Sequence, residues 1–179
     1  MPDKDWIRKF EVPEGSGPYT IGELIENECV EQYVNLGGVK PDSSKALADV
    51  IYDGKYIDIK SRNIEGSGGG NLISMQRVFE SQDKTILYKI FEYKKEKNIV
   101  YIMKEDEYYL HEIDWKDLCI INQGQGMLCL NKFVKEKTQI SKDEWYKIAR
   151  DTYHDWCIKQ SKYFLQLSER VKIHQLSLL

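Results

Sequence analysis

Asp49, Asp58 and Lys60 form the grouping in this chain whose residue types and spacing suit chemistry. The Asp53-Gly54 dipeptide separates two β-prone runs, 47–52 and 55–62, and predicts a hairpin with a two-residue type I′ turn. In that register Tyr52 pairs with Lys55, Ile51 with Tyr56, Val50 with Ile57, and Asp49 with Asp58. Side chains alternate between the faces of a strand, so Ala48, Val50, Ile57 and Ile59 share a core face and Asp49, Asp58 and Lys60 share the other. Cross-strand partners lie roughly 5 Å apart at Cβ, where like charges repel. A divalent cation would resolve the repulsion. Mg²⁺, or Mn²⁺ in its place, takes one or two carboxylates and completes its shell with water and phosphate oxygens. Such an ion polarises a phosphodiester and lowers the pKa of a bound water. Lys60 reaches the same space and could orient or deprotonate that water, or stabilise charge in the transition state. The expected chemistry is phosphodiester hydrolysis.

A third carboxylate is expected from the element before the hairpin. Thr20 with Glu23 reads as a capping box, opening a helix that runs to about Leu36 and stops at Gly37-Gly38. Its apolar residues Ile21, Leu24, Ile25, Cys29, Val30, Tyr33, Val34 and Leu36 define a buried direction at 100° per residue. Glu26 and Glu28 lie on the two margins of that face, and Glu26 is slightly the nearer. Glu23 and Glu31 point away.

Around these elements residues 1–19 read as irregular, broken by Pro2, Pro13, Gly15, Gly17 and Pro18. The 65–70 segment (EGSGGG) reads as a glycine loop and 71–80 as a short helix. Strands are expected at 85–93, 99–103, 107–113 and 125–130. Ser141 and Glu144 form a second capping box, opening a helical segment over 141–179 with Trp145, Ile148, Ala149, Thr152 and Trp156 at helical spacing. One domain is expected, with a catalytic core at about 20–113.

Composition narrows the function classes. Hydrophobic residues make up 41% of the 179-residue chain, with 12 Tyr and 4 Trp, enough for a packed core. No apolar run is long enough for a membrane span, and the charged start lacks the centre of a signal peptide. The four cysteines have no CxxC spacing, which argues against zinc and disulfides and for an intracellular setting. The formal net charge of −3 is unlike a basic nucleic-acid domain. Carboxylates gathered around a metal would account for part of it.

Glu on a helix, then Asp, then Asp-Ile-Lys on a hairpin resembles the PD-(D/E)xK nuclease superfamily, which includes type II restriction endonucleases and junction resolvases. The matching residues are Gly22-Glu-Leu-Ile-Glu26, Ala48-Asp49, and Asp58-Ile59-Lys60-Ser61, within about 20–62. The Gly-xxx-Glu spacing favours Glu26 over Glu28. Ala48 stands where the family writes Pro, and the literal Pro41-Asp42 lies outside the hairpin. Ile113 to Leu118 with Gly124-Gln-Gly126 looks like a late strand-rich segment of restriction enzymes. The resemblance implies an α/β fold with a restriction-endonuclease-like mixed central sheet flanked by helices. It implies Mg²⁺ held by Asp49, Asp58, the Ile59 carbonyl and Glu26 (or Glu28). The partner implied is double-stranded DNA, cut by a homodimer, with Ser61, Arg62, Asn63, Gln76 and Arg77 as DNA contacts. A structure-selective nuclease and an inactive DNA-binding relative are the alternatives.

Overall fold

The computed structural model describes residues 6–42, 47–66, 70–121, 126–130 and 136–176, with side chains up to 169. The chain divides into two compact units, Met1–Gln139 and Ile140–Leu179. No helix among the described residues is long and apolar enough to cross a membrane.

The first unit holds β1 (Arg8–Glu11), α1 (Pro18–Asn35), β2 (Val50–Tyr52), β3 (Lys55–Asn63), β4 (Asn71–Ser74), α2 (Met75–Glu80), β5 (Thr85–Glu96), β6 (Ile99–Tyr109), β7 (Leu118–Ile121) and β8 (Met127–Leu130). A five-stranded sheet runs β1-β6-β5-β3-β2, and a three-stranded sheet runs β4-β8-β7. The larger sheet is mixed: β3 and β5 are parallel and its other pairs antiparallel. Parallel neighbours need a crossover, and the chain between β3 and β5 supplies β4 and α2.

The β2–β3 hairpin has the expected register, with Val50 opposite Ile57 and Tyr52 opposite Lys55. Asp53 and Gly54 both have positive φ, 49° and 71°, as a type I′ turn requires. β2 is shorter than 47–52 and begins at Val50.

Helix α1 buries Ile21, Ile25, Cys29 and Val30 against Ile57, Ile59, Phe91, Tyr93, Val100 and Ile102 of the larger sheet. The buried stripe is narrower than the sequence suggests: Leu24, Val34 and Leu36 are exposed. The helix also starts earlier. Gly17 is its N-cap, without a side-chain cap, and Pro18 opens the first turn. A fixed proline φ suits that position, so Thr20 is not the cap.

Three further expectations are corrected. Residues 8–11 form an edge strand on β6 rather than irregular chain. Residues 71–74 are strand, and the helix begins only at Met75, with Ser74 accepting from the Arg77 N–H. Residues 99–109 are one strand, with a register shift opposite Glu92/Tyr93 where two strands were expected. Residues 118–121 form a further strand, β7. Half of the glycine loop (67–69), and Gly124 and Gln125, lie outside the described residues.

The second unit is α3 (Lys142–Leu176). Ser141 caps it as expected, its hydroxyl accepting from the Glu144 N–H at 3.2 Å. Trp145, Tyr146 and Ala149 are buried.

The stripe on α1 is testable. Ile25→Ala should cost about 2–5 kcal/mol, as for a fully enclosed side chain, and Leu24→Ala under about 1 kcal/mol. Urea midpoints of the two variants measure the difference; equal losses would restore the wider stripe.

Candidate active site

The hairpin ladder stops at Val50, and Asp49 takes over just beyond it. Its N–H donates to the Ile57 carbonyl at 3.0 Å. Its carboxylate Oδ2 accepts the Ile59 N–H at 2.7 Å. Asp49 therefore occupies the place of the next ladder partner. The N–H and C=O of one strand residue point to the same side, so the Ile59 carbonyl is also directed toward the end of β2.

Asp58 follows Ile57 on β3 and points to the opposite face, away from α1. Alternation alone suggested an open face, but Asp58 is only 7% exposed. Leu72, Ile73, Ser74, Arg77 and Met127 form a wall over it, enclosing with Leu47, Ala48, Asp49 and Lys60 a cleft of about 330 Å³. Lys60 Nζ donates to Asp58 Oδ1 at 2.8 Å.

Burial raises the Asp58 carboxyl to about 7; the Asp49 charge and a hydrogen bond with Asp49 push the same way, against the pull of Lys60. For Lys60, burial works against the charge, but Asp58, Asp49 and Glu26 together raise its pKa above the ordinary lysine value. Lys60 is thus an ammonium at neutral pH in the metal-free protein.

Glu26 reaches the same neighbourhood from α1. Its pKa is raised by burial and then by Asp49, while Lys60 and Lys40 pull it down. It lines a second cleft, of about 460 Å³, with Tyr19, Gly22, Glu23, Lys40, Ile59, Lys60 and Ser61. Gly22 makes the approach possible: a Cβ there would meet Ser61 Oγ at 3.0 Å. Glu28 is on another side of the helix, paired with Arg8 of β1 and accepting from Gln32. Of the two alternatives, Glu26 adjoins the aspartates.

Two clefts share Lys60: Asp49 and Asp58 line one, with Arg77 across it, and Glu26, Ile59 and Ser61 line the other. Four other expected residues stand apart. Arg62 is buried with Glu92, Asp106 and Tyr108 nearby. Asn63 accepts the Glu65 N–H at 2.9 Å, Gln76 donates to Glu80 at 2.6 Å, and Glu28 is described above. Asp42 lines neither cleft. Sequence reasoning missed Tyr19, Lys40 and Ser74. Only Ser74 left a local signal, as a possible cap three residues before Arg77.

Among the described residues, no three or more His, Cys, Asp or Glu side chains are grouped closely enough to hold a metal. Two carboxylates and a carbonyl are nevertheless hard oxygen donors in the number that Mg²⁺ uses, its remaining positions going to water and phosphate. Buried Asp58 beside half-buried Asp49 fits such an ion.

A pH dependence follows. The folded pKa of Asp58, about 7, lies above its unfolded value of 3.8. The unfolded state then binds fewer protons between those values, so stability is full below pH 3.8 and falls as pH rises through about 7. In EDTA, Asp58→Asn should remove that loss and be more stable than wild type at pH 8. Thermal melts from pH 4 to 8 check this; parallel curves for both proteins would contradict the burial.

No family model and no curated protein matches the chain. Among solved structures it is similar to the NlaIV restriction endonuclease, with 11% identity and a TM-score of 0.54, over 77% of this chain and 66% of that one. At that identity the likeness concerns architecture, and the chain has a restriction-endonuclease-like α/β fold, a mixed central sheet flanked by helices.

Proposed function

We propose that this chain is a Mg²⁺-dependent DNA endonuclease of the type II restriction kind, cutting duplex DNA at a fixed sequence as a two-fold dimer. The observation that carries the reading is the pair Asp49 and Asp58 at an open cleft, with Lys60 Nζ 2.8 Å from Asp58. The shared architecture with a restriction endonuclease supports it.

Asp49, Asp58 and the Ile59 carbonyl would hold the Mg²⁺, with Glu26 completing the set from α1. When bound, the ion supplies Lewis-acid polarisation of the scissile phosphate and a water acidic enough to attack it. Asp58 must release its proton to become a ligand, so affinity for the ion rises with pH up to about 7. Lys60, held as an ammonium, donates to a phosphate oxygen or to the attacking water and stabilises negative charge as it develops. Asp49 keeps β2 and β3 in register through Ile59 while presenting its carboxylate to the site. Arg77, which lines the Asp58 cleft, and Ser61, which lines the neighbouring one, would contact phosphates. An isologous dimer would bring one such site to each strand of a palindrome.

Incubation with mixed-sequence plasmid and Mg²⁺, followed by sequencing of the ends, tests the reading. Common terminal sequences are expected; intact plasmid or random ends overturn it. Lys60→Ala should slow cutting by more than about 10²-fold and leave DNA binding in Ca²⁺ nearly unchanged by fluorescence anisotropy. An equal loss of rate and binding would make Lys60 a phosphate anchor only.

The helix carboxylate has its own test. Glu26→Gln should slow cleavage at least about tenfold more than Glu28→Gln, because only Glu26 adjoins Asp49 and Lys60. Initial rates at several Mg²⁺ concentrations check it, since loss of a ligand also raises the half-saturating Mg²⁺. The reverse order would remove Glu26 from the site.

A further inference from the structure

The larger cleft shares Glu26, Ile59, Lys60 and Ser61 with the chemistry above, which leaves Tyr19 and Lys40 without a role. Its lining includes Tyr19, Gly22, Glu26, Lys40, Lys60 and Ser61. At about 460 Å³ it falls in the size range of small-ligand pockets, roughly 300–1,000 Å³. Lys60 lines both this cleft and the one holding Asp58, so the two meet at the reacting centre.

Three features give the cleft a chemical character. Tyr19 stands at its edge 83% exposed, an unusual position for an aromatic ring. Residues 19, 22, 23 and 26 follow one face of α1, which puts Tyr19 about 10 Å along the axis from Glu26. Between them Gly22 leaves bare helix backbone, where a Cβ would meet Ser61 at 3.0 Å. A mid-helix glycine costs about 1 kcal/mol against alanine, and here it keeps the floor open. Lys40 supplies a cation close enough to lower the Glu26 pKa.

We propose that this cleft seats a nucleotide that has left the duplex stack beside the scissile phosphate, its base on the Tyr19 ring and its phosphate at Lys40. An exposed aromatic face binds any base by stacking, but only if the base is free of its neighbours. Within an intact duplex that base must first be unstacked and unpaired, at a cost of a few kcal/mol. A strand end or fork presents it without that cost. An intact duplex therefore binds less tightly than the same sequence with an unpaired nucleotide next to the cut, because it must first meet that cost. This rests on the nuclease reading for the identity of the ligand.

The test measures binding in Ca²⁺ by fluorescence anisotropy, using a forked duplex with single-stranded arms and a fully paired duplex of the same sequence. Wild type should bind the fork about tenfold more tightly, within the range of one stacked base. Tyr19→Ala should lose that preference, Tyr19→Phe should keep it, and Lys40→Ala should weaken both DNAs and flatten the salt dependence by about one phosphate contact. Equal binding of the two DNAs by wild type, or an unchanged preference in Tyr19→Ala, overturns the inference. Plasmid cutting that persists alongside either result leaves the nuclease reading standing. Fork preference without any cutting in Mg²⁺ does the reverse. Wild type that binds neither DNA overturns both.

Discussion

Two carboxylates that repel each other, Asp49 and Asp58, have to be held side by side, and much of the structure around them serves that constraint. The type I′ turn at Asp53-Gly54 fixes which residues face each other. The apolar face behind them, Val50, Ile57 and Ile59, locks the hairpin onto α1. Asp49 is further tied by its bond to the Ile59 N–H. Burial first, and then the Asp49 charge, hold the Asp58 carboxyl above the ordinary carboxylate pKa despite Lys60. The hairpin thus stores an electrostatic cost that a bound cation would relieve.

The two sides of β3 have separate duties. Odd-numbered residues face α1, which contributes packing, Gly22 for close approach, and Glu26. Even-numbered residues face β4, α2 and β8, which contribute the wall over Asp58. Lys60 touches space on both sides. The charged cluster farther along α1 shows the same economy of placement: Lys89 pairs with Glu105 at 2.7 Å beneath Tyr33, and Arg8 pairs with Glu28. These pairs fasten β1, β5 and β6 to the helix and lie away from the aspartates.

The parts legible in the sequence were those fixed by neighbours in the chain. A two-residue turn sets the register of its hairpin, so Asp49, Asp58 and Lys60 could be grouped from their spacing. Ser141 could be read as a cap for the same reason. Long-range partners were hidden. Nothing near Asp58 announces that Leu72, Ile73 and Met127 cover it, so its burial was not foreseen. The partner that removes Glu28 from contention, Arg8, lies 20 residues away on a strand obscured by nearby glycines and prolines. Lys104-Glu105-Asp106 looked like a break in β6. It is continuous strand because Lys89 and neighbouring charges pair with its side chains. Tyr19 left no periodic signal, and its interest came only from the cleft beside it.

The parallel pairing of β3 with β5 separates the wall of the Asp58 cleft from its floor in the chain itself. The floor is one hairpin, whereas β4 and α2 of the wall belong to the crossover that any parallel pair must have. That crossover is itself held by the pairing of β4 with β8 and by buried Leu72, Ile73, Met75 and Val78, so its cleft-facing side chains such as Ser74 and Arg77 are what can change while β3 and β5 stay aligned. Those side chains are therefore the natural place for drift or engineering to reshape what the cleft admits. Asp49, Asp58 and Lys60 would be left untouched, and one chemistry could be fitted with many different mouths.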